Sequence, residues 1–188
     1  MRTSLAAILA ALLLVLAIPP VPASAHDTSG LLLDYPKVSV KALDFEAKLS
    51  SGKPVRLSAL TGQVVFLNFW ATWCVPCLKE MPTMNRLQAK LAGKRFAILA
   101  VNMQESPEQV AAFLRKHPVD FPIVMDAEGA ITRDYGVNNI PLTYIIGKDG
   151  VVLARALGPR EWDSAAGVHF FEHLTAEAAE PANAAAAR

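Results

Sequence analysis

A seven-residue run, Val64-Val65-Phe66-Leu67-Asn68-Phe69-Trp70, contains a single polar residue, and shortly after it stands Cys74-Val75-Pro76-Cys77. So apolar a run reads as a central strand covered on both faces. Beyond it Leu78, Met81, Met84, Leu87 and Leu91 recur at helical spacing. The chain therefore passes from a buried strand into a helix where its only two cysteines lie, and no other feature limits the possible folds as tightly. Pro82 inside the helical stretch removes one backbone donor and is expected to kink it.

The spacing of the two cysteines allows a reversible disulfide. A thiolate rather than a thiol attacks a disulfide, and the unpaired N–H groups at a helix N-terminus stabilise its charge. Cys74 is then expected to be the exposed, activated sulfur. Cys77, one turn further in, can attack the mixed disulfide and release the product. Other uses of such a pair fit less well. A zinc site wants four ligands, and no second cysteine pair or suitably placed histidines follow. Covalent haem attachment needs His after the second cysteine, where this chain has Leu78. A purely structural disulfide closing so small a loop gains little chain entropy.

At the start of the chain Arg2 precedes an uncharged run from Leu5 to Ile18, then prolines, then Ala23-Ser24-Ala25. That layout predicts a secretory signal peptide over residues 1–25, cleaved after Ala25, and hence a periplasmic protein. The run is short for crossing roughly 30 Å of hydrocarbon, so a retained N-terminal membrane anchor is the alternative. No cysteine sits near the cleavage site, which excludes lipidation there. Cleavage takes 25 residues from 188, leaving 163, and removes Arg2, so the formal charge falls from +1 to neutral. Neither nucleic acid nor an anionic membrane surface is expected as a partner. The length suits one domain with an ample core.

Residues 26–36 lack a clear period and are expected to form a loosely held arm, residues 37–174 the domain, and the alanine-rich stretch 175–188 a flexible tail. Within the domain, 44–49 and 54–57 flank Ser50-Ser51-Gly52-Lys53 as a hairpin. Residues 96–101 read as a second buried strand. Ser106-Pro107-Glu108-Gln109 supplies an N-cap, a first-position proline and a capping-box glutamine for a helix to about His117. A short strand over 121–125 and a helical turn through Ile131 and Tyr135 follow. Residues 142–146 and 151–156, joined through Lys148-Asp149-Gly150, form a second hairpin. Trp162 to Leu174 reads as the last helix. The expected fold is α/β, a mixed central sheet flanked by helices.

The run from Val64 through Cys77, with Glu80 and Pro82 after it, resembles the thioredoxin superfamily. Within it the chain is similar to the extracytoplasmic TlpA/ResA-like thiol-disulfide reductases, a group that includes cytochrome c maturation proteins. The similarity spans about 42–158. Asp44-Phe45, Gly52-Lys53-Pro54-Val55 and Leu57-Ser58-Ala59-Leu60 match the group's N-terminal hairpin, residues 102–134 its inserted helix-strand unit, and Ile140-Pro141 the cis-proline loop. The resemblance implies a thioredoxin-like fold and a protein-disulfide reductase that needs no cofactor beyond the Cys74–Cys77 disulfide. It implies that Pro141 faces the cysteines and that Ile140, beside the cis bond, pairs with an extended client segment. Trp73 would cap the pair, with Val75 and Pro76 also touching the client. Glu80 resembles a carboxylate that the group keeps near the cysteines, where burial could raise its pKa and let it shuttle the proton of Cys77. The implied partners are client proteins with disulfides, such as apocytochrome c or copper-delivery proteins, and a membrane electron donor of the thiol-relay type. A monomer is expected.

The chain departs from its relatives in places. Plain thioredoxins carry a buried Asp where Asn68 stands, and Asn exchanges no proton. Some relatives hold Glu where this chain has Val75, and Asn139 and Leu142 replace smaller or hydroxylated residues around the proline. Bland readings also apply. Glu80 on a helix surface would ordinarily be a solvated charge, and Met81 with Met84 fill core more readily than they bind copper. His169 and His173 stand four apart but lack a third ligand, while His26, as the mature N-terminus, could bind copper weakly. A copper-binding module using the two thiolates is the rival from another class. A peroxidase would want Pro-x-x-x-Thr-x-x-Cys, and Leu67 and Ala71 occupy the Pro and Thr positions.

Overall fold

Strand β3 (Val64–Trp70) is buried at every position, and alternation divides its side chains between two faces. Val64, Phe66 and Trp70 belong to one hydrophobic cluster, Val65, Leu67 and Phe69 to the other. The first face is covered by helix α1 (Val75–Lys90), part of α2 (Pro107–Leu114) and α4 (Ala165–Ala176), and the second by α3 (Ala130–Asp134) and a 3-10 turn over Leu57–Leu60. The computed structural model describes residues 30–176. The predicted signal segment, the first residues of the arm and most of the alanine-rich tail lie outside those residues.

The remaining strands are β1 (Glu46–Leu49), β2 (Pro54–Arg56), β4 (Phe96–Met103), β5 (Ile123–Asp126), β6 (Leu142–Ile146) and β7 (Val152–Leu157). They form one mixed sheet in the order β2-β1-β5-β4-β3-β6-β7. Strands β3, β4 and β5 run parallel, and the two hairpins add antiparallel pairs on either side. This is the expected thioredoxin-like architecture, with its N-terminal hairpin and inserted helix-strand unit. The register pairs Phe69 with Leu142 and Trp70 with Asn102. The end of β3 that leads to the cysteines therefore lies beside the start of β6 and the end of β4.

Helix α1 continues through Pro82. Two helix limits are corrected. Helix α2 stops at Leu114, short of His117, although its capping box forms as predicted. Helix α4 begins at Ala165 rather than Trp162. Trp162 is instead fully buried, edge-on to Phe66 with ring centroids 4.7 Å apart. The described part of the arm is not loose. Asp34 exchanges two backbone hydrogen bonds of 2.8 Å with Arg155 of β7, and Leu31 is fully buried in the α1-side core. One apolar side chain and a bridge to a sheet edge suffice to hold a segment that has no periodic pattern.

Candidate active site

Cys74 is the N-cap of α1, with Val75 and Pro76 as the first helical residues, and its sulfur accepts the Cys77 N–H at 3.3 Å. Proline suits this place because its missing N–H would have had no helical partner. Cys74 and Cys77 are joined in a disulfide, with their Cα atoms 5.3 Å apart. The expectation of an exposed Cys74 is not met. Its accessibility is 4%, against 0% for Cys77, because the sulfur is folded back onto the helix terminus. Its neighbours are the open part of the site, Trp73 being 69% and Val75 60% exposed. A buried redox pair thus lies between two apolar side chains that face solvent.

Across the sheet, the Ile140-Pro141 peptide is cis. Pro141 is buried, Ile140 half-buried, and the Pro141 carbonyl accepts the Gly158 N–H at 2.8 Å. Since Leu142 pairs with Phe69, this segment borders the β3 end from which the cysteine turn departs.

Glu80 is 2% exposed, on the same α1 stripe as Cys77, Met84 and Leu87. The solvated reading of this residue is therefore wrong: it stands three residues beyond Cys77, on the helix face turned to the sheet. Beneath it lies Asn68, the one polar member of β3 on that face. Asn68 Nδ2 donates to Glu80 Oε1 at 2.9 Å and to Thr143 Oγ1 at 3.0 Å. The other oxygen, Oε2, accepts Trp162 Nε1–H at 3.0 Å and the Arg160 backbone N–H at 3.2 Å. Burial pushes the Glu80 carboxyl up to about 7, the hydrogen bonds from Trp162, Asn68 and Arg160 opposing but not cancelling the loss of water. An acid poised there can both take and give a proton near neutrality.

The sequence reading missed Trp162 and Arg160 as parts of this cluster. Thr83, one turn along α1 from Glu80, accepts the Trp162 N–H through its hydroxyl at 3.1 Å, which stitches the loop before α4 onto α1. Asn68 Oδ1 is buried and has no hydrogen-bond partner among the described residues. Among those residues no group of three or more His, Cys, Asp or Glu is placed to hold a metal ion.

Comparison with known proteins agrees with this geometry. Residues 38–155 match the AhpC/TSA family. The chain is 38% identical over 122 residues to the thiol-disulfide oxidoreductase ResA of Bacillus thuringiensis subsp. konkukian, a match covering 65% of this chain and 70% of that one. It is 44% identical over 115 residues to the thioredoxin-like protein YneN of Bacillus subtilis, covering 60% and 66%. Among solved structures it is similar to a Chlorobium tepidum chain assigned as thiol:disulfide interchange protein DsbE, with a TM-score of 0.68 and 36% identity over 76% of this chain and 99% of the other. A thioredoxin-like sheet with a disulfide at the head of α1, matched by these relatives over most of its length, makes the chain a member of the AhpC/TSA family and a homologue of the ResA-like thiol-disulfide oxidoreductases within it.

Proposed function

We propose that the Cys74–Cys77 pair reduces disulfides of client proteins in an extracytoplasmic space. The observation that carries this reading is the disulfide at the N-cap of α1, flanked by exposed Trp73 and Val75. In the reduced protein the Cys74 thiolate attacks one client sulfur, forming a mixed disulfide and releasing the other client sulfur as a thiolate. Cys77 then attacks Cys74 Sγ, closing the internal disulfide and freeing the second client thiol. Two electrons pass to the client. A second dithiol, supplied by a membrane electron donor, restores the pair.

Glu80 takes the proton of Cys77 during the resolving step, a role supported by its burial, its raised pKa and its place one turn beyond that cysteine. Trp73, Val75 and Pro76 form one wall of the client groove and Ile140 with Pro141 the other, an extended client segment pairing with the Ile140 backbone. Apocytochrome c and copper-delivery proteins are the client classes. The protein acts as a monomer, exported by its N-terminal segment and cleaved after Ala25. None of the described helices is long and apolar enough to cross a membrane.

A Cys77→Ser variant tests the reading directly. It should accumulate clients as mixed disulfides on Cys74, recoverable and identifiable after non-reducing electrophoresis. A reduction potential near that of a dedicated oxidant, about −120 mV, would reverse the direction assigned here.

A further inference from the structure

A second buried carboxylate stands beside the redox turn, on the bend between β4 and α2. Glu105 Oε2 accepts the Thr72 N–H at 2.7 Å and Asn102 Nδ2–H at 2.7 Å, and Oε1 accepts the Thr72 hydroxyl. Thr72 lies within the turn that delivers Cys74, closed by the Cys74 N–H donating to the Ala71 carbonyl at 3.1 Å. Thr72 is thus tied twice to a residue 33 positions away. Pivoting it would break both bonds and leave a buried carboxylate short of donors, an arrangement that folded proteins avoid.

The bend pays a conformational cost to bring Glu105 there. Gln104 has φ of 55°, in the left-handed region that only glycine enters freely. It is braced on two sides. Its N–H donates to the Asp126 carbonyl at 3.0 Å, and its side chain packs so close over Gly129 that a Cβ there would lie 2.7 Å from Gln104 Nε2. Strain of this kind persists only where the surroundings over-determine it, and it gathers at functional sites. Here it lies one residue before the carboxylate that grips the cysteine turn.

We propose that Glu105 is a positioning residue for the redox pair: by holding Thr72 through both N–H and hydroxyl it fixes the turn that sets Cys74 at the head of α1, and so favours the closed disulfide over the open dithiol. In the dithiol no covalent bond keeps the two sulfurs together. Closing the bond then costs whatever freedom the turn still has, and a turn already held has less to lose. Glu105 touches neither sulfur and acts only through Thr72.

The test is equilibration with glutathione, in which one protein disulfide and two glutathione thiols give one protein dithiol and one glutathione disulfide. Glu105→Ala should weaken the preference for the protein disulfide about tenfold, a shift of about 30 mV toward a more oxidising pair. Glu105→Gln keeps an oxygen for the Thr72 N–H and should return the equilibrium to within about threefold of the unaltered protein. Thr72→Ala loses only the hydroxyl contact and should move the equilibrium the same way by less, which keeps the proposal testable if Glu105→Ala does not fold. Thermal unfolding of both redox forms must show the oxidised form losing more stability than the reduced one. Equal losses in the two forms with an unchanged equilibrium would make Glu105 a brace of the fold alone and overturn the proposal. So would a Gln variant no closer to the unaltered protein than the Ala variant.

Discussion

The two faces of the sheet draw on the same strand and are put to different use. On one face β3 presents Val65, Leu67 and Phe69 to an apolar core whose tyrosine hydroxyls reach backbone carbonyls: Tyr135 donates to the Leu43 carbonyl at 2.7 Å and Tyr144 to the Tyr135 carbonyl at 2.9 Å. On the other face the alternation Val64, Phe66, Asn68, Trp70 places an amide under the middle of α1, where it meets Glu80, Thr143 and, through Glu80, Trp162. The two tyrosine hydroxyls on the first face are satisfied one at a time and hold the fold. On the second, Asn68, Trp162 and the Arg160 N–H share the Glu80 carboxyl, which titrates at about 7 and so responds to pH. Buried polarity becomes chemically useful when it converges on a group that can change charge.

The contrast is broken most severely by Phe69→Ala, which empties a fully buried site on the quiet face. It should cost about 3–5 kcal/mol in urea unfolding while leaving the pH dependence of disulfide exchange in place. A changed pH profile would show the faces to be coupled.

Glu80→Gln probes the responsive face. In the folded protein this carboxyl titrates at about 7, above its ordinary value of 4.5, so between those two values the folded state holds a proton that the unfolded chain has lost. Its contribution to stability is full below about 4.5 and is lost as pH rises through about 7, a change of about 3 kcal/mol. Denaturant unfolding of the oxidised protein across this range should show the decline, and the Gln variant should flatten it. The resolving step, followed from a preformed mixed disulfide, should accelerate as pH rises through about 7 and slow about 10²-fold in the variant.

Asn68→Asp is a sharper test of the shared carboxyl. It would set a second carboxylate at the 2.9 Å contact with Glu80, and two such groups cannot both ionise cheaply. Carboxyl NMR titration should show one of the pair rising further than Glu80 does alone, with both assigned to the pair rather than to either residue. The smallest effect belongs to Tyr135→Phe. Burial, with the nearby Asp44 charge, pushes this hydroxyl's pKa up, so it stays a donor to the Leu43 carbonyl. Its loss should cost about 0.5–1.5 kcal/mol with no change in redox behaviour.

The strand-to-helix juncture was legible because it is local: β3 has the predicted limits, Cys74 caps the helix, and the pair lies one turn apart. Both hairpins were legible for the same reason, each announced by its turn residues. Proton chemistry was less so. Glu80 by itself reads as a surface charge, and it was the family resemblance that placed it near the cysteines; its position three after Cys77 and four before Met84 also turns it inward. Trp162, Arg160 and Glu105 reach their partners across 82, 80 and 33 residues, and no periodic pattern records such pairings. Leu31 was hidden similarly, a single apolar residue in a segment without rhythm.

Arg160 donates its backbone N–H to Glu80, while its guanidinium grips the carbonyls of Leu31, Leu32, Gly158 and Pro159. One residue therefore latches the entry of the polypeptide into the domain and touches the group that handles protons. A leash tied at the front of this molecule would pull on the same post that steadies its acid, so trimming the chain back past Leu31 is expected to be felt at the sulfurs and not merely at the edge.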